Sequence, residues 1–369
     1  MTNQRSMRDS SSITKARSIT RAQRLQGAGA RALRRLPAWL QLRLSGQPSI
    51  VVDGQTLDPQ LQLVLAIQRK RSRYGLCEPT PAAGRERFRR EMLIFGGPKM
   101  RVGAVRDFSI EGEGGPLPVR HYAPVEAEHS RELLVYLHGG GFVIGDLETH
   151  DEACRLLCRY ARTHVLSVDY RLAPEHPFPA GLRDALTALR WAQENAGSLG
   201  VDASGVALGG DSAGANLATV AAQQSSREHR PPAAQLLIYP PTDGVTPRAS
   251  QELFAENYFL SRADREAFSG YYLSGADGAE DDPRVSPLLA PQLDAQPPAL
   301  LLTAGFDLLR DEGEAYAAAL KDAGTIVRAR RFDTLAHGFV NLIGVCPAAR
   351  RAVIRIATDW RALLDEAIA

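Results

Sequence analysis

The sequence predicts an α/β fold, a mostly parallel sheet of eight strands flanked by helices. Three observations predict it. From about residue 102 onward, short apolar runs alternate with longer amphipathic stretches, the pattern of parallel strands joined by right-handed helical crossovers. The chain has 369 residues, enough for one large domain of this kind plus an accessory segment. Finally, the run Val206-Ala-Leu-Gly-Gly-Asp-Ser-Ala-Gly-Ala-Asn216 ends a buried strand in a glycine-flanked serine and opens a helix, which places a sharp turn at a strand's carboxyl end.

The strands are expected over 104–111, 117–122, 133–137, 164–168, 206–208, 235–239, 299–303 and 325–332. The first two form a hairpin around Gly114-Gly115-Pro116. Helices are expected over 148–162, 180–195, 213–224, 311–323 and 347–366. Residues 247–296 break the alternation, with helical pieces over 250–258 and 263–273, and would lie over the strand ends where ligands bind in such sheets. Ahead of the sheet, leucines at helical spacing predict helices over 30–44 and 57–71, with Pro37 kinking the first or marking its true start. A turn at 51–54 separates them, and a third helical piece over 85–93 leads into the sheet.

Charge is distributed unevenly. Residues 1–46 hold ten Lys/Arg and one acid, whereas the remainder holds 34 basic and 41 acidic residues. The folded body is therefore mildly acidic, which argues against nucleic acid as a partner. Residues 1–30 read as a disordered basic tail, although a mitochondrial-type presequence shares that composition. No apolar run approaches the ~18–20 residues of a membrane span, and no signal-peptide core follows the N-terminus, so stable membrane insertion is not expected and a cytoplasmic location is. Four cysteines (Cys77, Cys154, Cys158 and Cys346) make no disulfide framework in a chain this size, and they read as buried thiols rather than metal ligands.

The chemistry-bearing residues cluster at strand ends. Ser212 sits in Gly-x-Ser-x-Gly, where Gly210 and Gly214 let the backbone fold tightly on both sides of a nucleophile. In sheets of this kind the acid and the base follow the nucleophile in that order. Of the histidines only His229 and His337 follow Ser212. His229 lies in a charged connector, whereas His337 lies beside a glycine just past the last strand, where a general base can reach the serine. The acid must end a strand. Asp307, after the strand at 299–303, fits, and Asp243, after the strand at 235–239, competes with it; Asp311 and Asp333 are weaker candidates. The run Leu137-His-Gly-Gly-Gly-Phe142 follows the third strand, and its glycines let backbone N–H groups turn inward. Gly140, Gly141 and Ala213 are the expected donors of an oxyanion hole. Asp169-Tyr-Arg-Leu-Ala-Pro-Glu175 reads as a proline-braced loop with an Arg171–Glu175 pair that holds the loops around the site.

Together, His138-Gly-Gly-Gly-Phe142, Tyr170-Arg-Leu-Ala-Pro-Glu175, Gly210-Asp-Ser-Ala-Gly-Ala-Asn216, Asp282-Pro-Arg-Val-Ser-Pro-Leu288, Asp307-Leu-Leu-Arg-Asp-Glu-Gly313 and His337-Gly-Phe339 resemble, in order, the motifs of the hormone-sensitive-lipase-like carboxylesterases of the α/β-hydrolase superfamily. Leu308 departs from the family, which more often has proline there. The resemblance spans roughly residues 80–365. It implies an α/β-hydrolase fold and a Ser212, Asp307, His337 triad, which decides for Asp307 over Asp243. It also implies an enzyme that hydrolyses short- to medium-chain carboxylic esters, with amide, lactone or lipid hydrolysis by the same triad as alternatives. No cofactor or metal is needed for that chemistry. Residues 31–95 are expected to form a helical cap, of which 46–95 resemble the family's N-terminal cap, ahead of a catalytic domain over 96–369 with residues 247–296 as a cap insertion. The partner is then a small-molecule ester. The sequence leaves the oligomeric state open, a homodimer included.

Overall fold

The computed structural model describes residues 27–29, 31–71, 75–276 and 278–368. Residues 1–26 and 30, most of the stretch expected as a disordered tail, lie outside the described residues. Residues 27–29 and 31–33 are helical, so helix begins earlier than expected. It does not run on to residue 44. Pro37 adopts an extended conformation (φ −65°, ψ 152°) and immediately precedes helix α1, Ala38–Ser45. The proline thus marks a fresh start, since its ring cannot sit inside a continuous helix. Two short strands, β1 (Val51–Val52) and β2 (Gln55–Thr56), pair across the Asp53-Gly54 turn. Helix α2 (Pro59–Arg71) follows, then α3 (Pro81–Phe95), which starts at Pro81 behind a Thr80 side chain that accepts the Ala83 N–H.

The sheet has eight strands in the order β10-β9-β8-β7-β5-β6-β4-β3. They are β3 (Ala104–Gly112), β4 (Gly115–Ala123), β5 (Leu133–Leu137), β6 (His164–Val168), β7 (Val206–Asp211), β8 (Gln235–Ile238), β9 (Ala299–Phe306) and β10 (Val327–Ala336). Only the pairings made by β4, with β3 and β6, are antiparallel. Strands β5 to β9 are buried along their whole length, because both faces of the sheet are covered. Leu134 and Tyr136 face the cluster that contains Cys154, Leu157, Val353 and Trp360, from helices α4 (Asp151–Ala161) and α10 (Pro347–Ile368). Their neighbours Leu133, Val135 and Leu137 face Leu182, Leu217 and Tyr316, from α5 (Ala180–Glu194), α6 (Ala213–Arg227) and α9 (Arg310–Asp322). The four cysteines are buried free thiols.

Strands β7, β9 and β10 run past the expected ends. The ladders continue past them, pairing Asp211 with Ile238 and Ala336 with Phe306. In the insertion, α7 covers only Ala249–Leu253 instead of 250–258. Asn257 and Phe259 take positive φ (78° and 75°), which no right-handed helix accommodates. Helix α8, Arg262–Tyr272, is fixed by a reciprocal capping box between Ser261 and Asp264. Asp264 also accepts the Leu76 N–H at 2.5 Å, which ties the N-terminal segment to the insertion.

The turn between β7 and α6 is the tightest point of this frame. A Cβ on Gly214 would strike the carbonyl oxygens of Leu137 and His138, and one on Gly210 would strike that of Leu137. Gly214→Ala is therefore expected to cost about 2–3 kcal/mol by overpacking, read as a lowered midpoint of urea unfolding. Gly270→Ala on α8, where a Cβ meets nothing within 4 Å, is the control. It should leave the midpoint unchanged or raise it, by up to about 1 kcal/mol in stability.

Candidate active site

Ser212 occupies the turn with φ 51° and ψ −123°, a conformation a non-glycine residue holds only when its surroundings enforce it. The enforcement is visible in its neighbours. The Ser212 N–H donates to the Ile238 carbonyl at 2.9 Å, the Asn216 N–H donates back to the Ser212 carbonyl, and the two flanking glycines press on β5. The side chain is thereby held at the mouth of β7 and at the first turn of α6.

His337 follows β10, and Asp307 follows β9. The structure brings both to Ser212. His337 Nε2 lies 2.9 Å from the Ser212 hydroxyl, and His337 Nδ1 lies 2.7 Å from an Asp307 carboxylate oxygen. The other Asp307 oxygen accepts the Leu309 N–H at 2.9 Å, which fixes the carboxylate's rotation. Tyr239 packs its ring 4.6 Å from the imidazole. Asp243 is engaged elsewhere. Its carboxylate caps the N–H groups of Val245 and Thr246 and pairs with Arg248 at 2.9 Å. Asp311 pairs with Arg310 and accepts the Ser250 N–H, and Asp333 lies within β10. His229 lies beyond α6, between Glu228 and Arg230.

The glycine loop after β5 runs beside Ser212. Gly140 (φ 129°) and Gly141 (φ 59°) adopt conformations that favour glycine, and among the described residues their N–H groups have no hydrogen-bond partner. Both line the same cleft as Ser212, Ala213 and His337. Its apolar lining includes Leu76, Phe88, Phe142, Ile144, Phe268 and Tyr272. Asp243, Arg265 and Glu312 add charge to the lining. Burial pushes the Glu312 carboxyl up to about 7, against the opposing pull of Arg265 at 3.2 Å and the Thr242 N–H.

Several residues that shape the site were not singled out by sequence reasoning. Asp211, directly before the serine, is buried and accepts the Gly139 N–H at 2.9 Å and the Tyr136 hydroxyl at 2.7 Å, with His150 Nε2 3.3 Å away. Burial alone would raise its pKa, but His150, the Tyr136 hydroxyl and the Gly139 N–H hold the carboxyl below its usual range. One carboxylate thus fastens the glycine loop to the serine turn. The signal was an acid inside an otherwise apolar strand end. His138 is neutral, its pKa pushed down to about 4 by burial and by His150. Its Nδ1 lies 2.9 Å from the Gly139 carbonyl, which can only accept, so that nitrogen carries the proton.

The proline-braced loop does hold its neighbours, through different partners from those expected. The Tyr170 hydroxyl donates to the His138 carbonyl at 2.7 Å. Arg171 forks onto Asp184 of α5 rather than onto Glu175, while Glu175 pairs with Arg85 of α3 at 2.6 Å. The expected Arg171–Glu175 pair is therefore not formed. Both partners lie closer to side chains from other elements, and these are invisible to local spacing. Arg85 also donates to the carbonyls of Val143 and Ala173, so it binds α3 to both loops around the cleft.

A serine on a strained strand-to-helix turn, within a sheet of this order, defines the class of α/β hydrolases. The profile of the α/β hydrolase fold family matches residues 134–341, and the chain belongs to that family. It is 44% identical over 330 residues to the carboxylic ester hydrolase LipN of Mycobacterium tuberculosis, covering 86% of this chain and 87% of that protein. It is 34% identical over 310 residues to an ethyl acetate hydrolase of Pseudomonas putida, covering 82% of this chain and 97% of that one. A solved α/β hydrolase from the metagenome of Lake Arreo, Spain, superposes with a TM-score of 0.80 at 39% identity, over 83% of this chain and 98% of that one. The resemblance to the hormone-sensitive-lipase-like esterases agrees with these relatives.

The two carboxylates can be told apart chemically. Asp307→Asn should slow organophosphate labelling of Ser212 by orders of magnitude, about 10³–10⁴-fold, because the His337 tautomer is lost. Asp243→Asn should change it only a few-fold. Mass spectrometry of the labelled peptide over time reads both rates, and a reversed order would move the acid to β8.

Proposed function

We propose that the chain is a serine carboxylesterase acting on short- to medium-chain esters. The observation that carries this reading is the unbroken line from Asp307 through His337 to Ser212, with contacts of 2.7 and 2.9 Å, opening into a largely apolar cleft. Ser212 attacks the ester carbonyl while His337 Nε2 takes its proton, and Asp307 orients the imidazole and stabilises the imidazolium. The developing oxyanion is received by the N–H groups of Gly140, Gly141 and Ala213. His337 then returns the proton to the leaving alcohol. In the second half it draws a proton from water, which attacks the acyl-enzyme and frees Ser212.

The cap is part of this proposal. Residues 31–95 supply Leu76 and Phe88 to the cleft, and 247–296 supply Arg265, Phe268 and Tyr272 from α8, so the two segments would set chain-length preference over the core of 96–369. The relatives described as carboxylic ester and ethyl acetate hydrolases support ester over amide or lactone chemistry.

Ser212→Ala should reduce kcat on p-nitrophenyl butyrate by about 10⁵–10⁶-fold while leaving the melting temperature within a few degrees of the parent. Across p-nitrophenyl esters of increasing acyl length, kcat/KM should peak at short to medium chains. A wild-type protein inert toward the whole series, yet active on matched anilides or lactones, would replace the ester reading.

A further inference from the structure

Helix α1 is turned inside out. At about 100° per residue, Trp39, Leu40, Arg43 and Leu44 share one side of it, and Gln41 and Ser45 the other. An ordinary surface helix would bury the first set and expose the second. Here Gln41 and Ser45 are each only 6% exposed, whereas Trp39 is 65% and Leu44 47% exposed. The polar side is fully used inward. The Gln41 amide donates to Gln60 at 2.6 Å and to the Leu36 carbonyl at 2.9 Å, and the Ser45 hydroxyl accepts from Gln62 at 3.0 Å. The orientation is therefore fixed by hydrogen bonds to α2, and the apolar side is presented to the outside.

The charge around that face has one sign. No acidic residue occurs between Asp9 and Asp53, while Arg31, Arg34, Arg35 and Arg43 lie on or just before α1. Arg34, Arg35 and Arg43 are exposed, and among the described residues none of them has an acidic partner. Arg34 also donates one N–H to the Gly344 carbonyl at 3.5 Å. An exposed tryptophan and leucine set among arginines that no acid neutralises match a surface that is negative at its rim and apolar beneath.

We propose that α1 and its arginines form a docking face for an anionic phospholipid surface, Trp39 and Leu44 entering the headgroup boundary and Arg34, Arg35 and Arg43 engaging lipid phosphates. The fit is interfacial rather than spanning, since among the described residues no helix is long and apolar enough to cross a membrane. This face, α1 with the arginines just before it, lies apart from Ser212, so vesicle binding and ester hydrolysis can fail separately.

Co-sedimentation of the full chain with vesicles tests it, using phosphatidylcholine alone and phosphatidylcholine with about one third phosphatidylglycerol. Binding is expected to the anionic vesicles only and to weaken as salt rises. Trp39→Ser with Leu44→Ser should weaken it at least about tenfold, and Arg34→Gln with Arg35→Gln and Arg43→Gln should weaken it comparably. Far-UV circular dichroism and melting temperature serve as folding controls for both variants. Trp39→Phe, which keeps the apolar bulk, should retain most of the affinity. Failure of the wild-type chain to bind anionic vesicles overturns the proposal. So does undiminished binding by the Trp39/Leu44 variant, which would assign binding to charge elsewhere. Conversion of a dimer to a monomer by that variant, without effect on vesicles, would assign the face to a second copy of the chain.

Discussion

The backbone of β5 and the glycine loop that follows it run so close to the turn after β7 that only glycine fits at Gly210 and Gly214. Ser212, His337 and the glycine loop are arranged around that approach. It forces Ser212 to positive φ, a conformation that costs on the order of 1–3 kcal/mol and persists only where the surroundings over-determine it. It also brings the loop N–H groups beside the serine side chain. The same closeness lets one buried carboxylate, Asp211, hold the Gly139 N–H and the Tyr136 hydroxyl together. The relative position of Ser212 and the glycine-loop N–H groups is thus set by main-chain contact and one shared anion, with no long flexible side chain in between.

Around this centre the cleft is walled by elements far apart in the chain, and charged groups decide how they meet. Arg85 reaches from α3 to the Val143 and Ala173 carbonyls and to Glu175, and Asp264 holds the Leu76 N–H. Arg265 reaches from α8 to the fully buried Glu312. Removing charges from water is costly, and such pairs repay it only in well-fitted geometry. They therefore discriminate between placements of a wall more sharply than apolar contact does. Apolar packing supplies the surface of the cleft, and these polar contacts supply its register. Helix α1 follows the same logic in reverse: its glutamine and serine secure it to α2, which frees its apolar side for the exterior.

Much of this was legible in the chain itself. The alternating pattern from residue 102 gave the strands in their correct places, because strands buried on both faces must be apolar throughout. Strand ends were less legible. The ladders of β7, β9 and β10 continue through Asp211, Phe306 and Ala336, where neighbouring strands rather than side-chain character sustain the pairing. The helix expected over 250–258 stops at Leu253, and the positive φ values of Asn257 and Phe259 exclude a right-handed helix beyond it.

The sequence by itself determined the kind of sheet and the turn that carries Ser212. It also singled out His337 and an acid after a late strand as the candidate groups to serve that serine. These follow from local rules: burial writes itself as apolar runs, and a tight turn writes itself as glycine. Residue reasoning alone left Asp307 and Asp243 both open, and it paired Arg171 with Glu175. The resemblance to the esterases favoured Asp307, and only the tertiary structure shows where each of these side chains turns. Asp307 turns toward His337, while Asp243 is spent on two N–H groups and Arg248. Arg171 meets Asp184 thirteen residues away, and Glu175 meets Arg85 ninety residues away. Charges interact through space, over distances that sequence separation does not encode, so which acid meets which base is settled only when the elements pack.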